Sequence, residues 1–398
     1  MKLNDVAEVV SLCPPRKIVN ADFSESFTHL FIFDFLTLTM SLSTPEQAFQ
    51  ELARILSTRH KHSQTLEIEI LPPEFGPLLH DGCSVGITKK VLLQAFVAAR
   101  RVFFDKRYGN GNGKQYEEGE EESLLRASEI LLLFAPEHLT ACNWRKRRLV
   151  WTLQKTDTTD AAHRQDILEN LDRELTLVTA FQCSPLHRHT KSPTLWQHRF
   201  WVLCQILTIR GQQCQQRTDP ETLHSILRSE LSIVLRAGEL HPRNYYAFNY
   251  MRQLHHTLLL DNSGTRNESE SKDVSSASLL DNTVSWCLAH TRDISGWMFA
   301  LYLLQEALPD RDRRDVQTHV INMVVRFALD IGWAGESLWT FVDLAVRSTG
   351  VDVQLPVGGE GNDDKITALS GRSWKSWLAR AESYWAAASV SSQERSQA

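Results

Sequence analysis

Lys191 is the residue whose placement most suggests chemistry. It stands in a turn, Thr190-Lys191-Ser192-Pro193, that tips into a helix through Trp196, Arg199 and Phe200. Pro193 suits a first helical turn, where its missing N–H is not needed. An ammonium just before a helix N-terminus favours an anion twice, by its own charge and through the helix dipole. The plainer reading is an exposed turn lysine. Other chemistry-bearing groups are weaker. Cys183, His187 and His189 lack a fourth ligand and the paired spacing of a zinc site. His255 and His256 are helix neighbours and do not converge on one ion. The acidic cluster Glu117 to Glu122 follows a Gly/Asn run and has no regular ligand spacing, so it reads as a solvated loop. No Gly-rich phosphate loop, serine nucleophile motif or zincin motif is present. The chain has no complete catalytic set of its own, and no metal is assigned to it.

The elements that position Lys191 recur. Pro242-Arg243-Asn244-Tyr245 leads to Phe248 and Arg252 on the same plan, with Phe248 where Trp196 stands. An earlier copy runs from Pro136 through Cys142, Asn143, Trp144 and Arg145 to Lys146. Weaker copies surround Trp297 and Trp339. A box returning at intervals of roughly 40 to 55 residues marks a helical repeat array. Each unit reads as an antiparallel helix pair. Glu174 and Glu230 lead the first helices, and the box opens the second. Gly238 is expected to end one first helix. Glu174 precedes Trp196 by four positions more than Glu230 precedes Phe248, and the surplus is placed in a surface loop from Cys183 to Pro193. Trp196, Arg199, Phe248 and Arg252 read as core that staples the repeats rather than as ligands.

Composition sets the frame. A 42% hydrophobic content in 398 residues allows a large core, and 18 Gly and 13 Pro fit helices. A net charge of −5 without a basic stripe argues against nucleic acid. Seven scattered cysteines suit reduced thiols in a cytoplasmic protein. The most apolar run, Leu30 to Leu42, carries Asp34 and is too short to span a membrane.

Along the chain, residues 1–40 are expected to form a peripheral extension, of which translation from Met40 would omit 1–39. Residues 41–123 hold N-terminal helices and the acidic insertion. The first helix opens at Thr44-Pro45 and runs to about Ser57, with Phe49, Leu52, Ile55 and Leu56 on its apolar stripe. Leu66 to Pro73 alternates as a short strand or extended arm. A helix from Lys89 to Arg107 follows. The repeats occupy 124–347, with a Ser-rich insertion near 262–271, a helix from Leu280 to Ala289 and a pair of helices at Val320–Leu329 and Ser337–Val346. Residues 348–398 hold a loop and a capping helix, Ser373 to Ala388.

The boxes at 136–146, 190–199 and 242–252 resemble the repeat of protein prenyltransferase α subunits: Pro-Lys-Asn-Tyr, two residues, Trp, two residues, Arg. Lys191-Ser192, Trp196 and Arg199 match a Pro-Lys-Ser variant, and Pro242, Asn244 and Tyr245 match the start. Leu131 to Leu133, Pro136, Thr140, Asn143 and Arg145-Lys146 are similar to the branch of prenyltransferase α subunit repeat-containing proteins. Departures are Cys142 and Phe248 at Trp positions, Thr190 at a Pro position, a displaced Arg252, and Ala300 and Val342 where Arg is absent. The resemblance implies an all-α fold, an α/α superhelix shaped as a crescent of helix pairs. It implies an α-type subunit that binds no cofactor itself and wraps a β subunit of the Rab geranylgeranyltransferase type, which carries the catalytic zinc. The pair would geranylgeranylate a C-terminal cysteine of a protein such as a SNARE. Lys191 falls at the family's diphosphate-contacting lysine, and Tyr245 at a tyrosine that shapes the same site. Pro193 replaces another family tyrosine. Tyr245 reads otherwise as a packing tyrosine. The alternative for the whole chain is a non-catalytic helical-repeat interaction scaffold, although tetratricopeptide units hold nearer to 34 residues than these boxes do.

Overall fold

The computed structural model describes residues 42, 44–58, 65–109, 118–155, 161–214, 220–260, 269–308, 313–353 and 374–397. The chain divides into two compact units, Met1–Arg217 and Thr218–Ala398. Both are helical. Residues 1–40 and the loop read from 353 to 370 lie almost wholly outside the described residues.

In the first unit, α1 (Pro45–Ser57) opens on a capping box. Thr44 Oγ1 accepts the Gln47 N–H, and Gln47 Oε1 accepts the Thr44 N–H, each at 3.2 Å. The expected stripe is buried. The alternating stretch at Leu66 is strand β1 (Glu67–Leu71), and two further strands, β2 (Leu78–Asp81) and β3 (Ser84–Thr88), complete a small sheet of order β1-β3-β2. β1 runs parallel to β3 and β2 antiparallel to it. This sheet is an addition to the helical array. Its Ile68, Val85 and Ile87 side chains enter the same core as α1 and α2 (Lys89–Gly109).

The repeats begin with α3 (Glu118–Phe134) and α4 (Leu139–Lys155), followed by α5 (Ala161–Gln182) and α6 (Pro193–Cys214). Two expectations are corrected here. The acidic cluster is not all loop: Glu118 to Glu122 form the first turns of α3, where Glu121 pairs with Arg148 and Glu122 with Arg126. Carboxylates suit that end of a helix. The segment after Cys183 is not a surface loop either. It contains a helical turn, His187–Thr190, with Ser184, His189 and Thr190 buried. Thr190 Oγ1 donates locally to the Leu186 carbonyl at 2.7 Å, whereas Ser184 and His189 have distant partners. Ser184 Oγ accepts the Ile68 N–H of β1 at 2.7 Å, and His189 Nε2 lies 3.0 Å from the Leu132 carbonyl. The surplus residues thus join the sheet to the repeats.

The second unit pairs α7 (Pro220–Leu240) with α8 (Tyr245–His255), α9 (Ser269–Ala289) with α10 (Ile294–Tyr302), and α11 (Arg313–Asp330) with α12 (Glu336–Thr349). A last helix, α13 (Trp374–Gln397), packs on α12. Helices α8, α10 and α12 stack in sequence. Helices α8 and α10 continue into wider π-helical turns at His256–Leu260 and Leu303–Ala307. Gly238 does not end α7; the helix runs two residues further. Glycine is needed there because a Cβ would stand 2.8 Å from Trp286 Cζ2, so the residue marks a close helix approach. Helix α9 starts earlier than expected, so 269–271 of the Ser-rich stretch are helical, while 261–268 lie outside the described residues. Helix α13 likewise extends past Ala388.

One bond repeats across the array. Trp196 Nε1 donates to the Thr190 carbonyl, Trp297 Nε1 to Thr291 and Trp339 Nε1 to Trp333, at 2.8, 3.0 and 2.8 Å. The offset is six residues each time. The ring enters the core while its donor ties the turn to the helix it starts. Phe248 cannot make this bond. There, Trp286 from α9 fills the space, 5.7 Å from the Phe248 ring and between Gly238 and Gly296.

The first unit also buries a charge cluster. Arg145 makes a two-pronged bond to Glu174, with Nε to Oε1 at 2.8 Å and Nη2 to Oε2 at 2.6 Å. His198 Nε2 lies 2.7 Å from the same Glu174 Oε1, and Glu129 is 3.7 Å from Arg145. Burial alone would favour a neutral His198, but Cys142 and Glu174 hold the proton and raise its pKa to about 9. Two carboxylates then balance a guanidinium and an imidazolium. In the second unit, Tyr250 takes the corresponding place, two residues after Phe248, and donates to Glu230 at 2.6 Å.

Glu174→Gln should remove the shared counter-charge and destabilise the chain by about 3–5 kcal/mol in urea unfolding. A loss no larger than a surface substitution gives would refute the cluster's role. pH dependence has two limbs. His198 has a raised folded pKa, so its contribution is complete below about 6.5 and is lost as pH rises through about 9. Burial lowers His189 and His255 to about 4 each, so their contributions are complete above about 6.5 and are lost as pH falls through about 4. Unfolding midpoints measured from pH 4 to pH 9.5 should therefore peak near pH 6.5, and His198→Gln should flatten the alkaline limb alone.

Candidate functional site

The turns that open α6 and α8 carry the two site candidates. Lys191 closes the helical turn His187–Thr190, its backbone N–H donating to the His189 carbonyl, and its side chain is half-buried. Ser192 then caps α6, with Oγ accepting the Leu195 N–H at 3.1 Å. Ser192 and Thr194 both donate their hydroxyls to the carboxylate of Glu137, which belongs to the turn between α3 and α4. The positive end of α6 already has a carboxylate beside it. An anion approaching Lys191 shares that end with Glu137, so the dipole favours it less than the sequence implies.

At the other turn, Asn244 caps α8 by accepting the Ala247 N–H at 3.3 Å. Arg243 adopts φ 61, a left-handed conformation costly for a side chain of its size. Asp293 stabilises it: Oδ2 accepts the Arg243 N–H at 2.6 Å, while Oδ1 accepts the Ser295 and Gly296 N–H groups and caps α10. Tyr245 stands 59% exposed, edge-on to Tyr246, which removes the packing reading. Lys191 belongs to the first unit and Tyr245 to the second.

The turns within each unit are linked. Glu137 joins the first to the second, Asp293 the third to the fourth, and Ser337 Oγ, donating to the Arg292 carbonyl at 3.2 Å, the fourth to the fifth. Sequence reading placed Ser337 at a helix start but gave none of the three a linking role.

The motif residues sort by burial. Arg145, Arg199, Asn244, Trp196 and Phe248 are buried, and Arg199 donates to Thr179 Oγ1 at 2.7 Å. Asn143 is exposed. Arg252 is half-buried over the Phe299 ring at 5.9 Å; burial lowers its pKa, against an opposing pull from Tyr245 and Tyr302. The histidine candidates serve the fold. His189 is engaged with Leu132 as described. His255 lies fully buried, 3.0 Å from the Tyr302 hydroxyl. Among the described residues, no group of three or more His, Cys, Asp or Glu side chains could hold a metal ion. Among them, too, no helix is long and apolar enough to cross a membrane.

Comparison with known proteins adds to this geometry. Residues 200–325 match the family described as the ECM9 middle domain. Protein prenyltransferase alpha subunit repeat-containing protein 1 of Danio rerio is 28% identical over 207 residues, covering 50% of this chain and 42% of that protein. Protein prenyltransferase alpha subunit repeat-containing protein 1-B of Xenopus laevis is 25% identical over 193 residues, covering 47% of this chain and 38% of the relative. The matched region spans less than half the length of these curated relatives. Over about half of its length the chain is similar to the protein prenyltransferase alpha subunit repeat-containing proteins.

Proposed function

We propose that the chain is the α-type subunit of a heterodimeric protein prenyltransferase resembling the type III geranylgeranyltransferase. It acts in the cytoplasm as a helical scaffold for a β subunit of the Rab geranylgeranyltransferase type. That partner carries the zinc, which supplies an activated thiolate on the protein substrate, and transfers a geranylgeranyl group to a C-terminal cysteine of a substrate such as a SNARE. The observation that supports this reading is the array of boxed turns, each starting the second helix of a pair, in a chain related to the proteins named above.

In this reading Lys191 and Tyr245 are this subunit's contributions to the shared site. Departure of a diphosphate builds negative charge, and a fixed ammonium nearby lowers that barrier. Lys191 is half-buried, which restrains it, and its turn is pinned by buried Ser192. Glu137 favours the second reading, a non-catalytic interaction scaffold, because it sets a carboxylate where the diphosphate would approach.

Tagged chain should co-purify a prenyltransferase β subunit from cells, and the reconstituted pair should transfer geranylgeranyl to a peptide ending in a prenylatable cysteine. Recovery of other partners but no β subunit would favour the scaffold. In the reconstituted pair, Lys191→Ala should lower turnover roughly 10²-fold with heterodimer mass unchanged. Unchanged turnover would make Lys191 a structural turn residue. Trp196→Ala should instead destabilise the chain by about 3–5 kcal/mol in denaturant melts.

A further inference from the structure

The second unit holds a cavity at the end of its helices away from the boxed turns. Helices α10 and α12 start at those turns, and the cavity lies where they stop. One wall is the π-helical turn Leu303–Ala307 that continues α10, through Gln305 and Glu306. Another is the end of α12 at Ser348, and the third is the start of α11, through Arg313, Arg314 and Gln317. Single π-helical turns occur frequently at functional sites. The volume, about 480 Å³, is that of a site for a small organic molecule. Every residue lining it is polar or charged. Such groups need hydrogen-bond partners when covered, so a hydrocarbon chain is a poor occupant and a polar molecule a good one.

The cations come from α11. Arg313 is fixed by carbonyls at the end of the π-helical turn, Nη1 donating to Gln305 at 3.3 Å and Nη2 to Leu308 at 2.6 Å. Arg314 Nη2 donates to the Gly350 carbonyl at 3.3 Å, one long bond from a group with five donors. Among the described residues no carboxylate pairs with Arg314. Both arginines stand in the first turn of α11, the end at which a helix dipole disfavours cations and favours an anion. Acceptors lie around them. Gln317 is only 7% exposed, and its Nε2 donates to the Leu304 carbonyl at 3.0 Å, which leaves Oε1 to accept. Ser348 Oγ donates to the Ala345 carbonyl at 3.1 Å, so it too offers an acceptor. The Glu306 carboxylate is a third.

Two guanidiniums call for a doubly charged anion. A phosphate monoester carries about two negative charges at neutral pH, and a carboxylate only one. The acceptors repel bare phosphate oxygens and suit hydroxyl donors. We propose that this cavity binds a sugar phosphate, with its phosphate on Arg313 and Arg314 and its hydroxyls on Gln317, Ser348 and Glu306. Binding ties the ends of three helices together. It does so at the opposite end of the unit from the boxed turns, so occupancy competes with nothing held there.

Equilibrium dialysis of the full chain against radiolabelled glucose phosphate and ribose phosphate tests this, with glucose, glucuronate and inorganic phosphate as comparison probes. At least one sugar phosphate should be retained roughly tenfold more strongly than any comparison probe. Arg314→Glu and Ser348→Glu should each weaken that retention roughly tenfold. Arg326→Glu makes the same charge change elsewhere on α11, outside the cavity, and should leave retention unchanged. All three positions are exposed, and circular dichroism melts check that each variant folds. Should Arg314→Glu fail to fold, Ser348→Glu decides the matter. Retention of neither sugar phosphate overturns the proposal. Equal retention of glucose, glucuronate or inorganic phosphate overturns the ligand class. Equal weakening by all three variants shows diffuse attraction of an anion and overturns the site, as does undiminished retention in the folded cavity variants.

Discussion

The Trp196 indole brings a large apolar ring and a single N–H donor into the core, and both must be satisfied at once. The structure does this by giving the donor to the carbonyl six residues earlier, at the base of the turn. The ring then fixes the helix against its neighbours while the bond fixes the turn against the helix. Trp297 and Trp339 repeat the arrangement. Because the two requirements share one rigid side chain, the turn cannot move without pulling the ring from the core. A turn stabilised in this way can carry a charged residue, such as Lys191, without losing its geometry.

Polar bonds between turns add a second level of order. Glu137, Asp293 and Ser337 each reach a neighbouring turn in the same unit. In the first unit the buried Arg145–Glu174–His198 cluster adds a constraint that hydrophobic packing lacks, since ionised groups tolerate few alternative positions. Glu174 serves helices on two sides, accepting from Arg145 of α4 and contacting His198 of α6. The second unit uses a neutral hydroxyl, Tyr250, for a similar link to Glu230. The repeats share a plan but differ in the chemistry that fills it.

Periodicity made the helix pairs legible. Trp196, Phe248, Trp297 and Trp339 recur, and Pro193 and Asn244 mark helix starts in physically direct ways. The sheet was only half legible, because β1 alternates while Leu78-Leu79-His80-Asp81 does not. Gly238 was misread as a terminator because the sequence does not reveal Trp286 pressing on it. The buried turn after Cys183 looked solvated for a related reason. Its Ser184 and His189 are satisfied by Ile68 and Leu132, far away in the sequence. The site was less legible than the fold. Lys191 and Tyr245 were visible, but the partner that alters the electrostatics at Lys191, Glu137, lies 55 positions from Ser192 and carries no local signature.

Trp286 has a consequence for how this sequence can change. Its ring occupies space beside Phe248 and leaves no room for a Cβ at Gly238 or Gly296, where the nearest ring atoms would be 2.8 and 2.6 Å away. Three positions in three helices have therefore adjusted to one side chain. Restoring tryptophan at position 248 alone would overfill the site, and shrinking Trp286 alone would leave a void beside two glycines. Neither single step leads easily back to the indole staple of the other repeats. The third repeat thus depends on a set of side chains that must change together.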